Sequence, residues 1–243
     1  MELLKSLYRI NAKSGKEAEI KAFVLDYVAH IGGVDVEEDG FGNLFLRKGS
    51  AAPSPCVVAH LDEVHDVEGR VVVEEGDMLY ATNAEGERVG LGADDKNGVW
   101  MALRLLEQKS SLCVALFVGE EKLDDMAGCR GSRACSLDRF DGATCLLQCD
   151  RKGASDVVII GKGGIPLCSE EFLPTALLDK YGYSAIEGGR TDVVALRERG
   201  LEKNCCNIGC GYYNAHKSDE YTLFSHLQNA LTFVSELVDA LSE

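Results

Sequence analysis

The stretch Cys56-Val57-Val58-Ala59-His60-Leu61-Asp62 decides the fold. Four apolar residues run without a break into a histidine and, two residues on, an aspartate. Continuous apolar runs of this kind mark strands buried on both faces, as in a parallel sheet, rather than strands that alternate between core and water. Two more runs share the form. Val114-Ala115-Leu116-Phe117-Val118 ends at Gly119-Glu120-Glu121, and Cys145-Leu146-Leu147-Gln148-Cys149 ends at Asp150. Three buried strands thus finish in side chains able to ligate a metal.

Between them, residues 97–108 and 131–136 are helical in pattern. Alternation of buried strands with helices predicts a three-layer α/β/α domain with a mostly parallel, mixed central sheet, whose ligand sites lie beyond the carboxyl ends of the strands. Upstream, Ser14-Gly15-Lys16-Glu17 followed by Ile20, Phe23, Val24, Tyr27 and Val28 predicts a helix over 16–31. Strands over 34–38 and 43–47 flank the turn Asp39-Gly40-Phe41-Gly42 as a hairpin. Downstream, 156–160 reads as a strand, 170–181 and 191–200 as helices, and 205–209 as the last strand. A closing helix carries Leu223, Leu227, Leu231, Val234, Val238 and Leu241 as its core stripe. No repeat, low-complexity segment or proline-rich linker divides the chain, so 1–243 is expected to be a single domain.

Composition narrows the function. Lys and Arg number 25 and Asp and Glu 40, a net charge of −15, with a pI near 4.8. Phosphate backbones and anionic lipid are repelled by such a chain, so neither nucleic acid nor a membrane surface is expected as partner. No stretch approaches the ~18 unbroken apolar residues of a spanning helix. Met1-Glu2-Leu3-Leu4-Lys5-Ser6 has no basic, apolar and small-residue succession of a secretion signal, and the expected compartment is the cytoplasm. The ten cysteines include no Cys-x-x-Cys pair. They read as packing thiols in a reducing compartment rather than as a zinc ribbon or redox centre.

The chemistry gathers at the predicted strand ends. His60 alone reads equally as a hydrogen-bonded turn residue. Asp94-Asp95-Lys96 alone reads as a solvated helix start, Glu120-Glu121 as an exposed loop, and Asp150 as a turn residue. His216 follows the glycine turn Gly209-Cys210-Gly211. Placed together at one end of one sheet, these groups would leave uncompensated negative charge in a cleft. Two histidines with several carboxylates are donors suited to zinc, manganese or cobalt, and one bridging carboxylate can serve two ions. A glutamate beside a ligating glutamate suits a general base.

The strings Ala59-His60-Leu61-Asp62-Glu63-Val64, Gly92-Ala93-Asp94-Asp95-Lys96-Asn97-Gly98, Gly119-Glu120-Glu121, Asp150-Arg151 and Gly188-Gly189-Arg190-Thr191-Asp192, closed by His216, resemble the zinc-dependent exopeptidases of the peptidase T, carboxypeptidase G and aminoacylase group. The resemblance runs in order from Ser14 to the C-terminal helix. It implies the phosphorylase/hydrolase-like zinc-exopeptidase fold and two divalent ions, zinc with cobalt or manganese as alternatives. His60, Asp94 and Asp150 would bind one ion, and Asp94, Glu121 and His216 the other. Glu120 would be the general base, and Asp62 would hold the free ring nitrogen of His60. A cis peptide is implied between Asp94 and Asp95.

The group's lidded members insert a second domain before the Gly-Gly-Thr-Asp block, whereas here residues 161–188 offer only a loop and one helix. A lidless catalytic domain, monomeric or weakly self-associating, is the expectation. Arg190 is an addition to the block, read as pairing with Asp192 or as clamping a substrate carboxylate. His65 lies near enough to His60 to touch substrate, and Gly161-Lys162-Gly163-Gly164 reads as a plain turn. Specificity is expected from loops over 66–90, 122–130 and 161–188. The function so implied is removal of an N-terminal residue from short peptides. The alternatives are hydrolysis of N-acyl amino acids and metal binding without hydrolysis.

Overall fold

The computed structural model describes residues 1–49, 53–122 and 126–242. Helices α1 (Glu2–Arg9) and α2 (Ala18–Ala29) precede a hairpin of β1 (Val34–Glu38) and β2 (Leu44–Lys48). Its turn is closed by Asp39, whose Oδ1 accepts the N–H groups of Phe41, Gly42 and Asn43 at 2.9–3.0 Å. Every residue of β3 (Ser54–His60) is buried, as its unbroken apolar run requires. The chain then forms β4 (Val71–Glu75), β5 (Met78–Thr82) and β6 (Arg88–Val89), and returns through α3 (Ala93–Gln108) to β7 (Leu112–Phe117). After α4 (Arg130–Ala134) come β8 (Ala143–Arg151), β9 (Asp156–Gly161) and β10 (Ile165–Pro166). The remainder is α5 (Thr175–Tyr181), β11 (Ser184–Glu187), α6 (Asp192–Glu198), β12 (Cys205–Gly209), β13 (Tyr212–Tyr213), β14 (Tyr221–Leu223) and α7 (Phe224–Ala240).

The main sheet runs β1-β2-β7-β3-β8-β12-β9-β10, with β11 also on β9. Its four central strands, β7, β3, β8 and β12, are parallel, and antiparallel pairs finish both edges. Parallel alignment puts His60 level with Phe117, so the carboxyl ends of these strands open at one edge of the sheet. Helices α1, α2, α3 and α7 cover one face in a single apolar core. The other face packs a smaller cluster that includes Phe140 and the α6 residues Val193, Val194 and Leu196. The three layers thus match the reading of the strand runs. No helix among the described residues is long and apolar enough to cross a membrane, and all ten cysteines are unbridged, eight of them buried.

Four expectations need correction. Residues 66–90 are not a loop: β4, β5 and β6 join β13 and β14 in a second, antiparallel five-stranded sheet. Strand β12 is consequently not the last. The helix expected over 170–181 begins only at Thr175, because Pro174 disfavours helical geometry in the residue before it. In α7 the buried stripe is Leu227, Ala230, Phe233, Val234, Leu237 and Val238, while Leu223 ends β14. Of the stretch 122–130 expected to shape specificity, residues 123–125 lie outside the described set.

A buried ion cluster ties the helices to the strand ends. Glu63, just past β3, takes Lys96 Nζ on Oε1 at 2.6 Å and Arg70 Nη2 on Oε2 at 2.8 Å, with none of the three side chains more than 1% exposed. Glu63 Oε1 also accepts the Ala12 N–H at 3.0 Å, and Lys96 donates to the Ile10 carbonyl at 2.7 Å. The cluster joins α1, β4 and the start of α3 at a point two residues from Asp94. Removing its single anion strands two buried cations, so Glu63→Gln should lower unfolding stability by about 3–5 kcal/mol in urea melts. A loss under ~1 kcal/mol would show the cluster to be peripheral.

Candidate metal centre

Each candidate residue stands where a strand or helix gives way to a turn. His60 ends β3, and Asp150 lies near the end of β8. Glu120 and Glu121 follow β7 through Gly119, whose φ of +65° suits glycine. Helix α3 opens irregularly: Asp94 and Asp95 have non-helical backbone angles, and the peptide between them is cis. His216, at φ +65°, lies between β13 and β14.

These side chains converge. Asp94 Oδ1 lies 3.2 Å from His60 Nε2, and Asp94 Oδ2 lies 3.2 Å from His216 Nε2. Asp150 Oδ1 is 3.5 Å from the same nitrogen of His60, and Glu121 Oε1 is 2.7 Å from that of His216. Asp94 therefore stands between two sets, His60 with Asp150 and His216 with Glu121. Donor atoms of His60, Asp95 and Asp150 also come within 4.8 Å of one another. Asp95, however, spends its oxygens on the backbone, accepting the N–H groups of His60 at 3.1 Å and Gly98 at 3.0 Å. It holds the loop, and Asp94 is left facing the histidines.

A layer of surrounding hydrogen bonds fixes these donors. His60 Nδ1 faces the main-chain oxygen of Asp62 at 3.0 Å, closer than the Asp62 carboxylate at 3.5 Å. The Asp62 carboxylate, expected on the ring nitrogen, stays within 3.5 Å of it and also accepts the N–H groups of Glu120 at 2.9 Å and Glu121 at 3.0 Å, and so places the glutamate pair. Asn207 brackets Asp150, accepting its N–H and donating to its carbonyl, both at 3.0 Å, while Gln148 donates to Asp150 Oδ2 at 3.1 Å. Glu220 accepts the N–H of Gly92 at 2.7 Å and of Asp94 at 3.1 Å, holding the α3 entry in place. Sequence reading passed over Glu220, Asn207 and Gln148. Glu220 ends the polar run Lys217-Ser218-Asp219, which looks like any solvated loop.

The electrostatics ask for a cation. Burial pushes the Asp150 carboxyl up to about 8, with Asp94 adding to the effect, and burial also raises those of Glu120 and Glu121. His216, held between Asp94 and Glu121, is pushed up to about 11. Glu121 Oε1 is buried without an aligned hydrogen bond despite its nearness to His216. Lone-pair donors thus point at one another, and hard or borderline divalent ions suit this oxygen and imidazole set. Donor atoms of His60, Asp94 and Glu121 lie within 4.8 Å of one another and could hold an ion, with His216 Nε2 3.2 Å from Asp94 and 2.7 Å from Glu121. Glu120 is left beside them, its Oε1 accepting from the Cys129 thiol at 3.3 Å.

The centre floors a cleft of about 420 Å³. A larger cavity of about 850 Å³ opens at the other end of the sheet, around Arg47, Cys113 and Arg139, with no converging donor set among the described residues. Two expectations about the surroundings change. Arg190 pairs at 3.0 Å with Glu198, not with Asp192, because Asp192 is buried and accepts the Ser132 hydroxyl at 2.5 Å. His65 packs against Gly90 and lies 3.3 Å from Glu220, so it supports the α3 entry instead of lining the cleft. Gly161 to Gly164 is the plain turn between β9 and β10.

No family model matches the chain, and no curated protein matches it in sequence. Solved structures do. Aminopeptidase PepT from Bacillus cereus aligns over 100% of this chain and 98% of its own, at 14% identity and a TM-score of 0.81. A tripeptidase from Staphylococcus aureus aligns over 98% and 96%, at 15% identity and 0.80. The fold is the one these peptidases share. An aminopeptidase from the archaeon Desulfurococcus kamchatkensis aligns over 98% and 94%, at 18% identity and 0.72. At such identities the likeness speaks for the fold, and function rests on the site.

Asp192 offers a test of the buried acid cluster. Burial raises its carboxyl to about 7, and its Oδ2 has no partner. A carboxyl raised in the fold contributes stability below about pH 4, its unfolded value, and loses it as the pH climbs through about 7. In chelator, Asp192→Asn removes that loss. The melting temperature of the variant relative to the parent should rise from pH 5 to pH 8, and a difference independent of pH would contradict the assignment.

Proposed function

We propose that the protein hydrolyses an amide bond in short peptides as an aminopeptidase, at a centre of two divalent ions held by His60, Asp94, Asp150, Glu121 and His216. The observation carrying this reading is the placement of Asp94 between the two histidines, 3.2 Å from each, with Glu120 beside them at a cleft of short-peptide size. The names of the solved structures sharing the fold favour the same class of reaction.

Two bound ions supply Lewis acidity for the scissile carbonyl and bring an attacking water within reach of a carboxylate base. The protein supplies the remainder. Glu120 takes a proton from the water at one carboxylate oxygen and later hands it to the departing amine. Asp62 keeps Glu120 and Glu121 at fixed height by holding both backbone N–H groups. Glu220 and Asp95 do the same for the Asp94 turn, so the donors are in place before substrate arrives. The reading needs no covalent intermediate, and the ten cysteines have no part as nucleophiles.

Glu120→Gln keeps the shape and every proposed ligand but removes the proton carrier. It should retain both ions by elemental analysis and lose kcat by about 10²–10⁴-fold on dipeptides. Near-parental turnover would remove Glu120 from its role. Amino-acid p-nitroanilides, dipeptides and N-acyl amino acids, assayed side by side with zinc, cobalt or manganese, separate the aminopeptidase from a deacylase. Cleavage confined to N-acyl amino acids would contradict the aminopeptidase assignment.

A further inference from the structure

Cys129 is 1% exposed, lines the cleft and stands just before α4 in the left-handed region, at φ +59°. A residue other than glycine keeps such a conformation only where its surroundings over-determine it. Here the surroundings are the end of β7. The N–H groups of Cys129, Arg130 and Gly131 donate in turn to the carbonyls of Glu120, Gly119 and Val118, at 2.7, 2.8 and 3.1 Å, so the two segments are zipped together in opposite directions. A Cβ at Gly128 would stand 2.3 Å from the Glu120 carbonyl oxygen, so glycine there lets the loop close on that residue. Glu120 is consequently held at three points. Its N–H is taken by Asp62 at 2.9 Å, its carbonyl by the Cys129 N–H, and its carboxylate Oε1 by the Cys129 thiol at 3.3 Å. Among the described residues no other hydrogen bond reaches that carboxylate.

We propose that Cys129 is a positioning residue for the general base: its thiol anchors Glu120 Oε1, and Oε2 is the oxygen that takes the proton from water and passes it to the departing amine. The inference deepens the amide-hydrolysis reading and rests on it. A glutamate side chain turns about several bonds, and few of its rotamers put an oxygen beside the reacting water. Anchoring one oxygen to a zipped loop removes that search. A thiol suits the task because S–H is a weak donor. It fixes the place of one oxygen and draws little charge from the carboxylate, so the other oxygen stays basic. Burial, with the carboxyls of Asp192 and Glu120 nearby, pushes the Cys129 thiol up, so the sulfur keeps its proton and donates instead of attacking.

Alanine and serine are the informative replacements, since a β-branched side chain would be strained at this φ. Metal-loaded Cys129→Ala should keep the parental metal content by elemental analysis and a KM on dipeptides within about twofold of the parent, while kcat falls about 10-fold. Cys129→Ser, which keeps a donor, should recover most of that kcat. In the Glu120→Gln background the same Cys129→Ala change should cost nothing further, because the group it acts through is already disabled. A full loss repeated in that background marks a structural role alone and overturns the inference. The contact is also read without turnover. The Raman S–H stretching band of Cys129, isolated by subtracting the matching Cys129→Ala spectrum in each background, should lie at lower frequency in the parent than in Glu120→Ala. A band unmoved by Glu120→Ala, or a kcat unchanged in Cys129→Ala, overturns the inference. Absence of turnover in the parent with the band shift intact defeats amide hydrolysis instead, and leaves the contact between thiol and carboxylate standing.

Discussion

Asp94 is the constraint on which the other site geometry depends. Its two carboxylate oxygens point in opposite directions, one to the histidine at the end of β3 and one to the histidine between β13 and β14. These elements belong to different sheets, so the second sheet has to pack beside the first for the centre to close. Gathering buried carboxylates in this way is unfavourable on its own, as the raised pKa values of Asp150, Glu120 and Glu121 record. Such an arrangement is stable when cations share it and when the surrounding fold leaves the side chains no other place to go.

The surrounding fold meets the second condition with hydrogen bonds to the turns that carry these side chains. Gln148 donates to Asp150 Oδ2, Asn207 brackets the Asp150 backbone, and Asp62, Asp95 and Glu220 accept backbone N–H groups of the turns that carry the donors. Beneath them the Glu63 cluster locks α3 to the N-terminal segment, so the irregular start of α3 sits on a rigid base. Charge is thus separated into layers: a buried cluster of one anion and two cations below, acids and histidines at the strand ends, and cations at the mouth of the cleft. The lowest layer serves stability, and metal binding is the proposed task of the second.

Much of this was legible in the sequence because burial leaves a period and an end. Unbroken apolar runs mark β3 and β7, a run interrupted only by Gln148 marks β8, and the polar residues closing those runs are the ones that meet in space. What escaped notice lies where local pattern says little. Strands β13 and β14 are two and three residues long, too short for a period, and β4 to β6 are mostly half-exposed. Glu220, Asn207 and Gln148 act on backbone groups far along the chain, a relation no local spacing encodes. Arg190 was read with its near neighbour Asp192, but burial turns Asp192 inward to Ser132 and leaves the guanidinium to Glu198, one helix away. The start of α5 is set by Pro174, a single residue that the helical pattern of 170–181 does not reveal.

Calorimetric titration of the chelated protein with zinc, repeated on Asp94→Ala, tests the central claim most directly. A carboxylate shared by two ions predicts close to two tightly bound zinc ions per chain in the parent and loss of tight binding at both positions in the variant. Retention of one ion at parental affinity in Asp94→Ala, or a parent that binds no more than one, would contradict the shared centre.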